Sequence, residues 1–444
     1  MTTLEPIVYT FIVLLSAVVV ARVLRNVTRE ERTIFWVAYA AHVVAPVVHV
    51  LLTELYFGGG DSMVYMWFGG ELARLIRSDP STYIPLVVQM FFQVGQPEFP
   101  LEVFGIGHST GSMHAVGTLM AILTDEGLYT TSLLVSLMTL WAAALVYTTF
   151  KRYFPQSAHP RIAISILLVP TTVFWNSGLL KEPFAITGLA IAIFGFDRWL
   201  DRQRTFGLTL MAFGFGVVAL FKPYILFPAA VGLGLWFMAR RAGGAHALTR
   251  PLYLALGAAA VFGGLLLLGR FFPRFAIERI AETTASQVRA GGLVTTGSYY
   301  SLGNTEELTV AGQLAYAPLG LFTALFRPLP FETRNAASFI NALETMTLMI
   351  LFLRAIVATS WSWAWRTIVG NPILIFCVSF VLVMAQAVGL STTNFGTLSR
   401  YRSPFVPFLA AIVLPLGALV RARVERERAQ LAERRARAAV PVRQ

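Results

Sequence analysis

The chain has 444 residues, 56% of them hydrophobic and only 13% charged, with a mean hydropathy of +0.66. A soluble domain carries about a quarter charged residues, so an ordinary globule is excluded. The net charge of +12 sits at the ends of apolar runs and in the C-terminal tail, which is a membrane-topology signal and not a nucleic-acid footprint.

Apolar runs long enough for a hydrocarbon core, which needs about 20 helical residues, recur along most of the length. Uninterrupted runs such as 371–390 also exclude a β-barrel, whose strands alternate in polarity. The expected fold is all-α, a polytopic membrane protein of about 11 spans (range 10–13): 7–24, 33–56, 129–150, 162–180, 183–200, 206–221, 223–239, 252–269, 336–358, 371–390 and 403–420. The first run lacks a preceding basic segment and reads as a retained helix, not a signal peptide. One membrane domain, 1–420, is followed by a basic helical tail, 421–444. Cys377 is the single cysteine and lies in an apolar run, so it reads as packing.

Arginine-rich connections fall at 22–32, 151–161, 198–204, 239–250, 354–366 and beyond 420. The positive-inside rule puts all of them in the cytoplasm, with the N-terminus outside and the C-terminus inside a cell (inner) membrane. Counting 308–326 as a span would send the tail outside, so 308–330 is expected to be a re-entrant or interfacial element on the outer face. The outer face then receives a long loop from 57 to 128, hairpin tips at Lys181 and Lys222, a second long loop from 270 to 335, and the short loop 391–402. Amphipathic or re-entrant helices are expected in these loops, and any shaped site is expected on this side.

The first outer loop opens Gly58-Gly59-Gly60-Asp61-Ser62, with Tyr65 following. A carboxylate at the membrane surface can act as general base, and an aspartate before an apolar run can equally cap a helix. Lysine is scarce here, three against 32 arginines, yet Lys181 and Lys222 both occupy outer tips and each shortly precedes a proline. Two cations at helix starts suit a phosphate; snorkelling to the interface is the competing account. Glu182 either neutralises Lys181 or acts as a second acid, and Asn176 with Ser177 can serve a site or simply satisfy helix-end carbonyls.

The run Asn394 to Arg402 places Arg400 and Arg402 on either side of Tyr401, where the arginines can grip a lipid phosphate while the tyrosine packs on a sugar or isoprenoid; an aromatic-belt anchor is the alternative. Arg327 and Glu332 in the second loop are further candidates, with a structural ion pair as the simpler reading. His108 and His114 form no metal signature, and His42 with His49, on one helix face, reads as inter-helix hydrogen bonding.

The aspartate with its downstream tyrosine (Asp61-Ser62-Met63-Val64-Tyr65), the polar hairpin tips and the closing Arg400-Tyr401-Arg402-Ser403-Pro404-Phe405-Val406-Pro407 resemble the GT-C superfamily of integral-membrane glycosyltransferases. That resemblance implies a polyprenyl-phosphate sugar as donor and a glycan, lipid or protein as acceptor, in the biosynthesis of cell-envelope polysaccharide. It implies Asp61 as general base and Lys181, Lys222, Arg400 and Arg402 as ligands of the donor phosphate. Tyr65, Glu182, Asn176, Arg327, Glu332, Asn394 and Tyr401 are then substrate-binding candidates; no cofactor is firmly implied, and a divalent metal stays open without a motif to support it. Two departures are expected: the aspartate follows the second span where the family usually has it after the first, and the sequence given shows no large soluble C-terminal domain such as some members carry. A polysaccharide polymerase or ligase acting on lipid-linked glycans, and a lipid or solute transporter, are the alternatives.

Overall fold

The computed structural model describes residues 4–242, 298–302 and 310–439, together with scattered positions between 270 and 289. The expected span 252–269 and most of the second outer loop lie outside the described residues.

Eighteen α-helices are described. In chain order they are α1 (Glu5–Val23), α2 (Arg29–Leu51), α3 (Asp61–Ser78), α4 (Pro80–Phe91), α5 (Ser109–Thr124), α6 (Leu128–Phe150), α7 (His159–Leu167), α8 (Pro170–Trp175) and α9 (Lys181–Leu200). The series continues with α10 (Arg204–Phe221), α11 (Leu226–Ala242), α12 (Val310–Ala315), α13 (Ala317–Phe326), α14 (Ala336–Thr359), α15 (Trp361–Val369), α16 (Pro372–Ser391), α17 (Phe395–Arg402) and α18 (Val406–Ala439). Among the described residues, nine helices are long and apolar enough to cross a membrane: α1, α2, α6, α9, α10, α11, α14, α16 and α18. The chain is a multi-pass helical membrane protein. Lipid-facing side chains such as Phe11, Leu14, Leu343 and Ile350 are exposed, as a hydrocarbon solvent permits.

The expected single span 162–180 is corrected by the structure. Pro170 has no N–H for the Ile166 carbonyl and its ring crowds the preceding turn, so the segment divides into α7 and α8, followed by irregular backbone to Leu180. The Thr171 amide freed by the break donates to Glu344 of α14 at 2.7 Å. The last span and the tail are one continuous helix, α18. Helix α13 has ten residues, too few to cross, and packs on α16 where Gly320 meets Gly389.

The packed centre combines α6, α9, α11, α16 and α18. Phe150, Phe376, Phe380 and Phe408 form an aromatic cluster there, with Phe376 and Phe408 meeting edge to face at 5.5 Å. Helices α9 and α10 make an antiparallel hairpin whose backbones touch at Gly188 with Gly214 and at Gly195 with Gly207; a Cβ on Gly195 would lie 2.8 Å from the Gly207 carbonyl. Small residues permit such approach between membrane helices. The same register brings Lys181 level with the end of α10, next to Lys222.

The arginine-rich connections meet at one end of the bundle. Arg152 pairs with Asp197 and Asp201, Arg240 bonds Asp201 at 3.0 Å and the Tyr153 hydroxyl at 2.7 Å, Lys151 lies 3.8 Å from Glu31, and Arg423 reaches the Arg366 carbonyl. At the opposite end sit the first long loop, the start of α9 with the end of α10, and α17. The first loop is itself helical: α3 and α5 cross at Gly69 and Gly117, where a Cβ on Gly117 would fall 2.2 Å from the Tyr65 carbonyl oxygen.

Candidate active site

Four elements converge at this second end. The segment after α2 turns through Gly58 and Gly59, whose φ values of +69° and +135° favour glycine, and α3 begins at Asp61. Gly60 is the N-cap and makes no side-chain bond, so Asp61 stands in the first turn without capping the helix. Its carboxylate is about half exposed and accepts from Arg400 Nη1 at 2.6 Å.

Arg400 comes from α17, an eight-residue helix capped by Asn394, whose Oδ1 accepts from the Gly396 amide at 2.7 Å. The rest of its guanidinium forms a fork on Glu182, with Nε on Oε1 at 2.7 Å and Nη2 on Oε2 at 3.1 Å. Burial works against the charged Arg400, but the Glu182 and Asp61 carboxylates more than offset it and raise its pKa. Glu182, in the first turn of α9, is fully buried and also accepts from Lys222 Nζ. Lys222 closes α10 and is itself buried, its ammonium lying 4.5 Å from the centre of the Tyr401 ring and 5.6 Å from that of Tyr224. The result is a chain of alternating charge: Asp61, Arg400, Glu182, Lys222.

Lys181 stands beside this chain. Its ammonium donates to Thr110 Oγ1 of α5 at 2.9 Å, and no carboxylate lies within ion-pair distance among the described residues. Three cations thus face two carboxylates, which leaves one positive charge for a ligand to balance. The Tyr65 hydroxyl is within electrostatic reach of the same group; burial and the Asp61 charge both raise its pKa. Behind it His114 is fully buried among Tyr65, Phe68 and Phe104, with ring centres 5.5, 4.5 and 5.0 Å away. Burial, helped by the Lys181 charge, lowers its pKa to about 4.

The second tier holds the site in place. Trp175 Nε1 donates to Ser399 Oγ at 3.0 Å and ties α8 to α17. His49 approaches Ser62 at 3.4 Å, and His42 Nδ1 meets Ser136 of α6 at 3.0 Å, so both histidines bond between helices as their spacing predicts. Asn176 Nδ2 and Ser177 Oγ donate to the Thr172 and Phe174 carbonyls, the helix-end role. Asn176 Oδ1 and Ser403 Oγ have no hydrogen-bond partner among the described residues and stand at the wall of a cavity of about 40 Å³, also lined by His42, Thr139 and Thr172. That is room for a few waters and not for a sugar.

Several expected ligands stand apart from the charged chain. Arg402 is fully buried and donates to the carbonyls of Thr323 (3.3 Å) and Arg327, away from Arg400. Two residues on an α-helix lie about 200° apart, so neighbours in an Arg-Tyr-Arg run face opposite ways. Arg327 and Glu332 form an ion pair with Nε contacts of 2.8 and 3.1 Å, and Glu332 also accepts from the Leu329 amide. Despite the burial that opposes it, the Arg327 and Leu329 donors lower the Glu332 pKa. Asn394 caps α17, and Tyr401 turns its ring to Lys222 instead of leaving it open to a sugar. Thr110 and Ser399 have no signal in the sequence; only their neighbours in space single them out. Among the described residues no group of three His, Cys, Asp or Glu side chains could hold a metal.

Compared with known proteins, the chain matches no protein-family profile, no curated protein and no solved structure.

Proposed function

We propose that this protein is an integral-membrane glycosyltransferase of the GT-C kind, moving a sugar from a polyprenyl-phosphate donor to a glycan, lipid or protein acceptor outside the cell membrane. The observation that carries the reading is the convergence of a half-exposed carboxylate, Asp61, with a partnered Arg400 and an uncompensated Lys181 at the bundle end opposite the arginine-rich connections. In the reaction, Asp61 takes the proton of the acceptor hydroxyl, the oxygen attacks the anomeric carbon, and the bond from that carbon to the phosphate oxygen breaks with its electron pair leaving on the polyprenyl phosphate. Lys181 and Arg400 stabilise the charge that develops on the departing phosphate, the term on which such catalysis most depends. Lys222 and Glu182 hold Arg400 in place, and Tyr401 covers Lys222.

The test is turnover of a panel of radiolabelled polyprenyl-phosphate sugars by the purified protein in lipid, with and without crude acceptor lipids, alongside Asp61→Asn. Donor consumption is expected in the wild type and a loss of at least 100-fold in the variant. Wild-type turnover by Asp61→Asn would remove the base assignment, and no consumption of any donor would favour a polymerase or transporter.

A further inference from the structure

We propose that Asp61 and the donor phosphate compete for one edge of the Arg400 guanidinium, which Glu182 holds in register, so that the base is released only when the anion has bound. That the anion is a lipid-linked phosphate rests on the reading above; the competition itself rests on the ion pairs. Arg400 uses Nε and Nη2 on the two oxygens of Glu182, a carboxylate with no solvent exposure. That side cannot be exchanged without stranding a buried charge. Its remaining ion-pair contact among the described residues, Nη1 to Asp61, is made to a side chain 48% exposed and is the side of the guanidinium that an incoming ligand can take without disturbing Glu182.

Lys181 is within electrostatic reach of both Asp61 and Arg400, with a hydroxyl as its only hydrogen-bond partner among the described residues. A phosphate bridging Lys181 Nζ and Arg400 Nη1 would balance the surplus charge and displace the Asp61 oxygen. Losing that bond leaves the Asp61 carboxylate oxygen free to accept the proton of the acceptor hydroxyl. The consequence is an order of events: donor first, then proton abstraction from the acceptor. Glu182 touches no reacting atom and is a positioning residue.

Direct competition and simple charge repulsion both predict that Asp61→Asn tightens anion binding, so the test is a double-mutant cycle. Binding of a short polyprenyl monophosphate to the full chain in lipid nanodiscs would be measured in wild type, Asp61→Asn, Arg400→Gln and the pair, with inorganic phosphate as the headgroup-only probe. Asp61→Asn should tighten binding about tenfold when Arg400 is present and less than twofold when it is glutamine. An equal gain in both backgrounds, or none in the first, overturns the competition. A gain for the polyprenyl probe alone identifies a lipid ligand, and an equal gain for inorganic phosphate overturns that part. Should Arg400→Gln fail to fold, Arg400→Lys serves, since a single ammonium cannot hold both carboxylates in the fork geometry.

For Glu182, the joint change Glu182→Gln with Lys222→Met removes the buried pair together and should weaken probe binding about tenfold, with partial recovery in Glu182→Asp. Unchanged binding overturns the positioning role. Donor consumption without the cycle's signature refutes this competition and leaves the transferase standing; the signature without consumption of any donor does the reverse.

Discussion

Removing the Glu182 carboxylate should be the most damaging single change at the site, more so than removing either cation. Glu182 has no exposure, Lys222 is 5% exposed, and both Lys222 and Arg400 direct their charge at it. Glu182→Ala leaves two cations confronting each other out of water, and breaking a buried pair in this way costs about 3–5 kcal/mol. Lys222→Met is milder, because Glu182 keeps the Arg400 fork and methionine can fill the space between Tyr224 and Tyr401. Loss of one charge-assisted hydrogen bond sets its cost at about 1.5–3 kcal/mol. The double change Glu182→Gln with Lys222→Met should cost less than Glu182→Ala, since one buried cation fewer is then left without its carboxylate. The assay is built into the chain: its one cysteine, Cys377, is fully buried, so a thiol-reactive fluorophore reports unfolding directly. Reaction midpoints in heat or denaturant should fall in the order wild type, Lys222→Met, Glu182→Ala. A Glu182→Ala protein as stable as Lys222→Met would refute the view that this carboxylate anchors both cations.

Gly117→Val should destabilise by about 1–3 kcal/mol or more and depress turnover, because its Cβ would sit 2.2 Å from the Tyr65 carbonyl and must push α3, with Asp61, off α5. Gly216→Ala, with nothing within 4 Å of the added carbon, is the neutral or stabilising control in the same melting assay. His114 has a folded pKa of about 4, below its ordinary value of 6.5, so the unfolded chain protonates first as pH falls. Its contribution is complete above pH 6.5 and lost between about 6.5 and 4, by at most about 3 kcal/mol; His114→Phe should flatten that part of the stability–pH curve. Arg402→Met should lower stability by depriving the Thr323 and Arg327 carbonyls of their donor, while leaving polyprenyl-phosphate affinity within twofold of wild type. Equal loss of affinity in Arg402→Met and Arg400→Met would refute the division between them.

Hydropathy alone was enough for the membrane class and for most spans, because a helix in hydrocarbon must satisfy its own backbone and must be apolar throughout. The arginine-rich connections were legible for the same reason, and the structure gathers them at one end of the bundle. The break at Pro170 was visible as a residue but not as an outcome. Proline is tolerated in membrane helices when something receives the freed groups, and here the receiver is Glu344, 173 residues away from Thr171.

The candidate site divides along the same line. Asp61, Lys181, Glu182, Lys222 and Arg400 stood out as charges at span ends, where local composition is informative. Their pairing is a property of packing: the glycine contacts of α9 and α10 align Lys181 with Lys222, and the helical turn of α17 sends Arg400 outward and Arg402 inward. Sequence position therefore determined which charges approach the membrane surface. Only the tertiary structure decided that Glu182 pairs with both Lys222 and Arg400 and that, among the described residues, Lys181 bonds a hydroxyl and no carboxylate, because ion pairing depends on distances across separate elements that no local pattern encodes.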